Sequence, residues 1–581
     1  MPPLMCKAKY LAILLAIGAA SAQTDAGDPP SRVARLNFLN GAVSFRPGSV
    51  EEWTSATLNF PLTTGDHLWT DSGAQAEIHV GSTAIRMAPQ TAISFLNLDD
   101  RMVQLSVTQG SVNVYIRNLA GDEAFEIDTP NVSVTLLRPG DYRLDADGDN
   151  SVTSLSVRAG DAEVAGGGAA FPVHARQTAR MTGVDSVAQE VGPAAPPDDF
   201  DGWCAMRERR EAQALTSARY VPRDMVGYED LDEYGVWRED AQYGWIWAPR
   251  GVAVGWAPYH YGHWAWVEPW GWTWIDDAPW GFAPFHYGRW AFVSGGWVWV
   301  PGRMVAGIRP VYAPALVAFV GGAGVGVGVA AWFPLGPGEV YRPAYHVSEF
   351  YVRQVNITHV TNVNVVSVRY VNQNVAGAVM VVPHEAFVSA RPVAAVSVRV
   401  DARAVAQAQV VGTTAAIAPR RESVLAHAGP PVAAPPVRFA ERSVAVRTAP
   451  PAPPVSFAAK QQALQANPGR PLEPAQVNTL RSSSPPPRPM VRNVSPAPAA
   501  RSFPDRPAVS TPRPAPMAPP SAPRNDRPPQ PAQPAPRSVD EPRRETPAAT
   551  SHPATEGRHE NAPKRTQPKK NEKDKKEEKR G

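Results

Sequence analysis

Thirteen of the chain's seventeen tryptophans fall between Trp237 and Trp299. An indole buries more area than almost any other side chain and carries one polar handle. A short segment with thirteen of them must either stack them into a core or display them. The segment is also a repeat. Gly255-Trp-Ala-Pro-Tyr-His-Tyr-Gly-His-Trp264 recurs as Gly281-Phe-Ala-Pro-Phe-His-Tyr-Gly-Arg-Trp290, shifted by 26 residues. A second element, Tyr243-Gly-Trp-Ile-Trp-Ala-Pro249, is echoed by Trp270-Gly-Trp-Thr-Trp-Ile-Asp276 and Gly296-Trp-Val-Trp-Val-Pro301. Self-similarity at this period marks a repeat architecture whose units bury little alone. Trp-x-Trp puts both indoles on one face of a strand, and the Gly and Pro steps supply turns. Residues 234–301 therefore read as a Trp/Gly/Pro β-repeat.

Those rings have two uses. Packing is the stronger expectation. However, thirteen indoles exceed what a small core easily buries, so some are candidates for an exposed platform for sugar or peptide. The candidate ligand-binding aromatics are Trp256, Tyr259, Tyr261, Trp264, Trp280, Phe285, Tyr287 and Trp290. The pair His260-x-x-His263 suggests a metal, but the repeat replaces His263 by Arg289, and a ligand built by repetition should recur. Asp276 and Asp277 are neighbours on a strand and would point to opposite faces, which argues against a catalytic carboxylate pair. No metal or other cofactor is expected.

Residues 31–182 alternate apolar and polar residues in short runs: Ala76, Ile78, Val80; Val103, Leu105, Val107; Val112, Val114, Ile116; Val132, Val134, Leu136. Breakers recur at Gly65-Asp66, Gly81, Gln109-Gly110, Gly121-Asp122, Pro139-Gly140 and Gly160-Asp161. Many short strands with frequent turns predict an all-β domain. The motifs Leu62-Thr-Thr-Gly-Asp66, Ile85-Arg-Met-Ala-Pro89, Gln109-Gly-Ser-Val112 and Phe125-Glu-Ile-Asp-Thr-Pro130 resemble the opening of a FecR domain. That resemblance implies a periplasmic β-rich module, some members of which relay an outer-membrane transport signal to a sigma factor. Arg138-Pro-Gly-Asp-Tyr142 departs from the family's Gly-Thr-x-Phe segment. The cytoplasmic segment and membrane span of the family's regulators have no counterpart before this domain, which argues against sigma-factor control.

At the N-terminus, Lys7 and Lys9 precede the apolar run 11–20 and then Ala20-Ser-Ala22. This pattern predicts a signal peptide over 1–22 and an exported chain, in the periplasm or cell envelope. Cys6 lies in it, leaving Cys204 as a lone thiol expected to be buried and inert. The uncharged stretch Val311–Leu335 is broken by five glycines and reads as a hairpin of strands Ala315–Val320 and Val329–Phe333 rather than a membrane span.

Residues 183–233 read as a linker with a short helix, best placed over Asp201–Ala218 with Met206, Ala214 and Leu215 as its apolar positions. Residues 302–410 read as β-rich, with Val355–Val368 as strands and Pro383–Phe387 as a turn or helix. Residues 200–400 also closely resemble a family of exported proteins of unknown function. Its members often pair this block with a FecR-like domain and a proline-rich tail, and the resemblance implies no catalytic residues. Of 63 prolines, 35 lie from Pro430 onward. Such a composition cannot offset the entropy of ordering, so 411–581 is expected to be a disordered Pro/Arg/Lys-rich tail. The mixed charges of Lys564–Gly581 suit weak contact with anionic envelope surfaces.

The fold class expected is mainly β, with three parts: a FecR-like domain, a Trp-rich β-repeat and a long disordered tail. A formal net charge of +3 over 581 residues gives no reason to expect nucleic-acid binding. No phosphate loop, nucleophile elbow or zinc-protease motif occurs. The expected function is a non-catalytic envelope protein that binds cell-wall glycan or an envelope protein. A FecR-type signal relay comes second and a glycan-processing enzyme third.

Overall fold

In the computed structural model the strand Met102–Ile116 runs for 15 residues and organises the N-terminal half. Sequence reading divides it at Gln109-Gly110, but the chain bends there without reversing. Gly110 sits at φ +91°, and a Cβ on it would lie 2.5 Å from the Thr91 backbone. Only glycine permits that bend. On one side of it the strand pairs antiparallel with Thr91–Leu98 and parallel with Ala124–Asp128. On the other side it pairs antiparallel with Thr83–Met87 and Gly140–Asp147. One strand thus carries two halves of a sheet that runs from Ala34–Asn40 to Ala188–Pro193.

The structure describes residues 27–494 apart from 214–215, 304–308, 323–325, 357–369, 427–431, 433, 441 and 485–490. It is mainly β, with 37% strand and 19% helix. The signal-peptide reading of 1–22 and the tail from 495 onward fall outside the described residues. Among the described residues no helix is long and apolar enough to cross a membrane. Val317–Gly321 and Val329–Pro334 pair as the expected hairpin.

The apolar alternates of the N-terminal strands are buried as the period-two pattern requires: Ile78, Val80, Leu105, Val114 and Val134 all lie in one core. The polar alternates of three of those strands are buried too. Glu77, His79 and Arg86 lie under the helix Asp199–Ala212, and Arg35 pairs with Asp230. Asp198 caps this helix in a box with Asp201, which starts it two residues earlier than the sequence reading. Its buried face is Phe200, Cys204, Arg207 and Glu211, whereas Met206 is 53% exposed. The hydrophobic pattern missed this face because its partner surface is ionic.

The Trp-rich segment forms two antiparallel arrangements. Gly262–Val267 pairs with Gly271–Asp276. Gly235–Asp240, Gly244–Pro249, Gly296–Val300 and Arg289–Val293 form a four-stranded sheet in that order. One face of that sheet is small and aliphatic, with Ile246, Val298, Val300 and Ala291. The other carries the rings. Trp247 stands opposite Trp299, and Trp290 opposite Trp299 on its other side.

Three expectations need correction. Val355 and Asn356 end a helix, Glu349–Asn356, rather than opening a strand; the rest of the run, 357–368, lies outside the described residues. Residues 302–410 mix four strands or strand starts with helices, including His384–Val388, which the sequence does suggest. The tail boundary at 411 is also too early. Val444–Val446 and Val491–Asn493 pair in parallel, and helices Phe457–Ala466 and Pro474–Ser483 follow the proline runs. Phe457 and Leu464 join the main core, and buried Lys460 pairs with Glu268. A proline-rich strand can be held in place when another surface supplies the apolar area that it lacks.

Candidate functional site

Seven of the eight candidate aromatics are packing residues. Tyr259, Trp264, Trp280, Phe285, Tyr287 and Trp290 are buried, and Trp256 is half-buried. Only Tyr261 is open, at 42%. Tyr259 and Phe285 occupy equivalent repeat positions and pack edge-to-face with centroids 4.9 Å apart. The Tyr259 hydroxyl also donates to the Phe285 carbonyl at 2.8 Å. Trp264 touches Trp274, Phe319, Trp332 and Phe387 with ring centroids 5.2–5.6 Å apart. Rings of 302–410 therefore complete the core that the repeat alone cannot close. That is why the indole count overstates what is left for a ligand.

The indole N–H groups hold the surrounding backbone. Trp299 donates to the Tyr287 carbonyl and Trp247 to that of Leu231, both at 2.8 Å. Trp272 donates to Ile417 and Trp332 to Tyr259. Gly288 is obligatory beside this set, since its φ is +70° and a Cβ would sit 2.4 Å from the Trp299 nitrogen. Among the remaining ring residues, Trp245 is 43% exposed and stacks on Tyr220 at 4.3 Å.

His260 is partly buried and His263 buried. His260 meets the Ala378 carbonyl at 3.3 Å, and burial pushes its pKa down to about 4. Asp276 is buried and accepts from Trp274 Nε1 and the Ala278 amide, while Asp277 is exposed. The two carboxylates are thus separated, as strand geometry requires.

The densest chemistry in the described residues lies elsewhere, between the N-terminal sheet and the helix Asp199–Ala212. Glu77 accepts from Arg86 Nε at 2.7 Å, Arg207 NH2 at 2.6 Å and Asn37 Nδ2 at 2.9 Å. His79 places Nδ1 2.6 Å from Glu229 and Nε2 3.2 Å from Glu211. Arg86 also reaches Glu211 at 3.0 Å. Arg117 pairs with Glu208 and Glu211. Arg35 pairs with Asp230 at 2.6 Å and holds Asn59. Four guanidiniums (Arg35, Arg86, Arg117, Arg207) and one imidazole thus face five carboxylates (Glu77, Glu208, Glu211, Glu229, Asp230).

Burial alone would neutralise His79, but Glu211 and Glu229 outweigh it and hold its pKa well above the usual 6.5. Burial likewise opposes the charge on Glu229, yet His79 and Arg35 bring that carboxyl down to about 2. Burial lifts Asp230 to about 6 despite Arg35. With His79 protonated the charges balance.

Glu77, His79 and Glu211 bring ligand atoms within 4.8 Å of one another. The donor set does not suit a cation. Both Glu77 oxygens are engaged by guanidiniums, and both His79 nitrogens by carboxylates. The positive charge that a metal would bring is already supplied by arginine and imidazolium. Sequence reading missed this cluster because it treated polar alternates as solvent-facing. The available signal was the pattern of charged alternates Arg35-x-Asn37 and Glu77-x-His79, together with a helix rich in Arg and Glu.

Cys204 lies beside this network, and burial pushes its thiol up to about 12. A thiolate is the reactive form. A thiol reagent should therefore label the native chain and its Cys204→Ser variant equally. One extra equivalent should appear in the wild type only in denaturant. Native labelling that disappears with Cys204→Ser would contradict the burial.

A separate cleft of about 230 Å³ opens between the N-terminal sheet and the Trp-rich segment. Ser49, Thr63, Thr64, Glu268, Trp266 and Trp270 are among its lining residues. Asp66 closes its floor, accepting from the amides of Gly48 and Thr63 at 3.0 and 2.8 Å.

A model of a family of unknown function (DUF6600) matches residues 228–339. That interval is narrower than the 200–400 resemblance and covers the aromatic repeat and the strand pair after it. No FecR family model matches, and no curated protein matches. Two crystal structures of a candidate anti-sigma factor from Parabacteroides distasonis ATCC 8503, at 2.50 and 1.65 Å resolution, are each 10% identical with a TM-score of 0.20. Each alignment covers 26% of this chain and 64% of theirs, so the chain spans less than two thirds of their length. A likeness of that size supports no assignment.

Proposed function

We propose that the chain is a non-catalytic, exported envelope protein that acts as a rigid binding or scaffold module for cell-wall glycan or an envelope protein. The observation that carries this reading is the way the chemistry-bearing side chains are used. The buried carboxylates, arginines and histidine of the network neutralise one another, and most of the indoles are core, Trp245 excepted. What remains open is a cleft between the N-terminal sheet and the aromatic segment. Its lining mixes indole edges, two threonine hydroxyls and the Glu268 carboxylate, a combination that suits polyhydroxylated ligands with apolar CH faces.

The test is co-sedimentation of the full chain with purified peptidoglycan. Ser49→Trp places a large ring in the cleft, and Tyr261→Ala removes the one open ring of the eight. The expected outcome is saturable binding that Ser49→Trp weakens at least tenfold and Tyr261→Ala leaves unchanged. A wild-type chain that stays in the supernatant would sink the glycan reading. Loss on Tyr261→Ala alone would move the site to the repeat surface.

A further inference from the structure

The strand Val444–Val446 lies on the N-terminal sheet more than 300 residues away in sequence. Ala445 donates its amide to the Thr129 carbonyl at 2.8 Å, and Val444, Ala445 and Val446 are all buried. The next two residues are read in detail. Buried Glu126 accepts from the amides of Arg447 and Thr448 at 2.9 and 3.0 Å through one oxygen, and from the Thr448 hydroxyl at 2.7 Å through the other. Buried Gln104 donates to the Thr448 carbonyl at 2.8 Å and to Asp128 at 2.8 Å. The Arg447 guanidinium pairs with Glu163. Amide, carbonyl and hydroxyl of one threonine are thus each matched by a side chain fixed on the parallel strands Met102–Ile116 and Ala124–Asp128.

The N-terminal domain itself satisfies little of this. Without the segment, Glu126 would keep only Gln104 among its four donors. A buried carboxylate stripped of its donors is strongly unfavourable. Burial and Glu126 together push the Asp128 pKa well up, and Asp128 shares the Gln104 donor with Glu126. Such an arrangement is shaped for an extended peptide. Pairs of consecutive backbone amides are offered by any such strand, and the Thr hydroxyl and Arg side chain add selectivity.

We propose that Gln104, Glu126 and Asp128 form a peptide-recognition site for an extended Val-x-Val-Arg-Thr segment. Residues 444–448 fill it in cis as a displaceable plug, and a peptide of the same pattern can take it in trans. The inference goes beyond the scaffold reading and does not depend on the cleft. A tethered plug competes at an effective concentration on the order of millimolar, so the wild-type chain should resist a free peptide.

The probe is a fluorescein-labelled peptide, Ser-Val-Ala-Val-Arg-Thr-Ala-Pro-Pro, titrated against the full chain. Thr448→Pro removes the amide and the hydroxyl together and should loosen the plug. The expected result is at least tenfold tighter peptide binding by Thr448→Pro than by wild type, with the gain abolished by adding Glu126→Gln. Thr448→Val removes only the hydroxyl and should give a smaller gain in the same direction, which keeps the test open if the proline variant misfolds. A folded Thr448→Val chain that binds no more peptide than wild type overturns the proposal. So does a gain that survives Glu126→Gln.

Discussion

Trp264→Ala should cost the chain about 3–5 kcal/mol of stability, the range for deleting a large aromatic from a core. The ring is buried against four others, from the repeat (Trp274) and from the segment after it (Phe319, Trp332, Phe387). Removing it leaves a cavity that neither segment can close, because both sides are made of rigid rings with few rotamers. Trp245→Ala should behave differently. It is 43% exposed and loses chiefly its stack on Tyr220, worth about 0.5–1.5 kcal/mol. Urea midpoints for the two variants measure the contrast. Equal losses would mean that the repeat does not share its core with residues 302–410.

The same contrast explains what the sequence made legible. Trp-x-Trp spacing sets two indoles on one face whatever the partner, so the strand pairing of Gly262–Val267 with Gly271–Asp276 follows from local pattern alone. Whether that face meets solvent or another segment depends on residues that no periodicity links to it. Phe387 lies 123 positions beyond Trp264, in a helix announced only by Pro383 and His384. The count of thirteen indoles therefore suggested a surplus of rings, and the surplus vanished once Phe319, Trp332 and Phe387 were in contact. The charge network was hidden for a related reason. Alternation separates the two faces of a strand, but it does not say that both are covered. Glu77 and His79 look like solvent-facing residues until the helix Asp199–Ala212 lays Arg207 and Glu211 on them. Composition failed at the tail in the same way. Val444–Val446 cannot fold by itself, yet Thr129 and Glu126 order it from more than 300 residues away.

Glu77→Gln should destabilise the chain by about 3–5 kcal/mol, because breaking a buried ion pair on one side leaves the other charges uncompensated. Arg86, Arg207 and protonated His79 would then share a neutral amide where a carboxylate stood. The pH dependence of the network has a definite sign. The His79 pKa lies well above 6.5 in the folded chain. Its contribution is thus fully present below 6.5 and is lost as pH rises through the folded value. Glu229 titrates at about 2 instead of 4.5. Its contribution is present above 4.5 and is lost as pH falls towards 2. Together these two groups make the network strongest between those limits. Urea midpoints of wild type and His79→Gln, measured from pH 5.5 to 9, test the alkaline side. The advantage of the wild type should shrink by about 1.4 kcal/mol per pH unit between 6.5 and the folded pKa. A gap that stays constant from pH 5.5 to 9 would show that folding leaves the His79 pKa at its ordinary value, and a gap that widens from pH 5.5 to 6.5 would show that His79 is held neutral. Glu211 and Glu229 would then have to share the remaining guanidiniums without it.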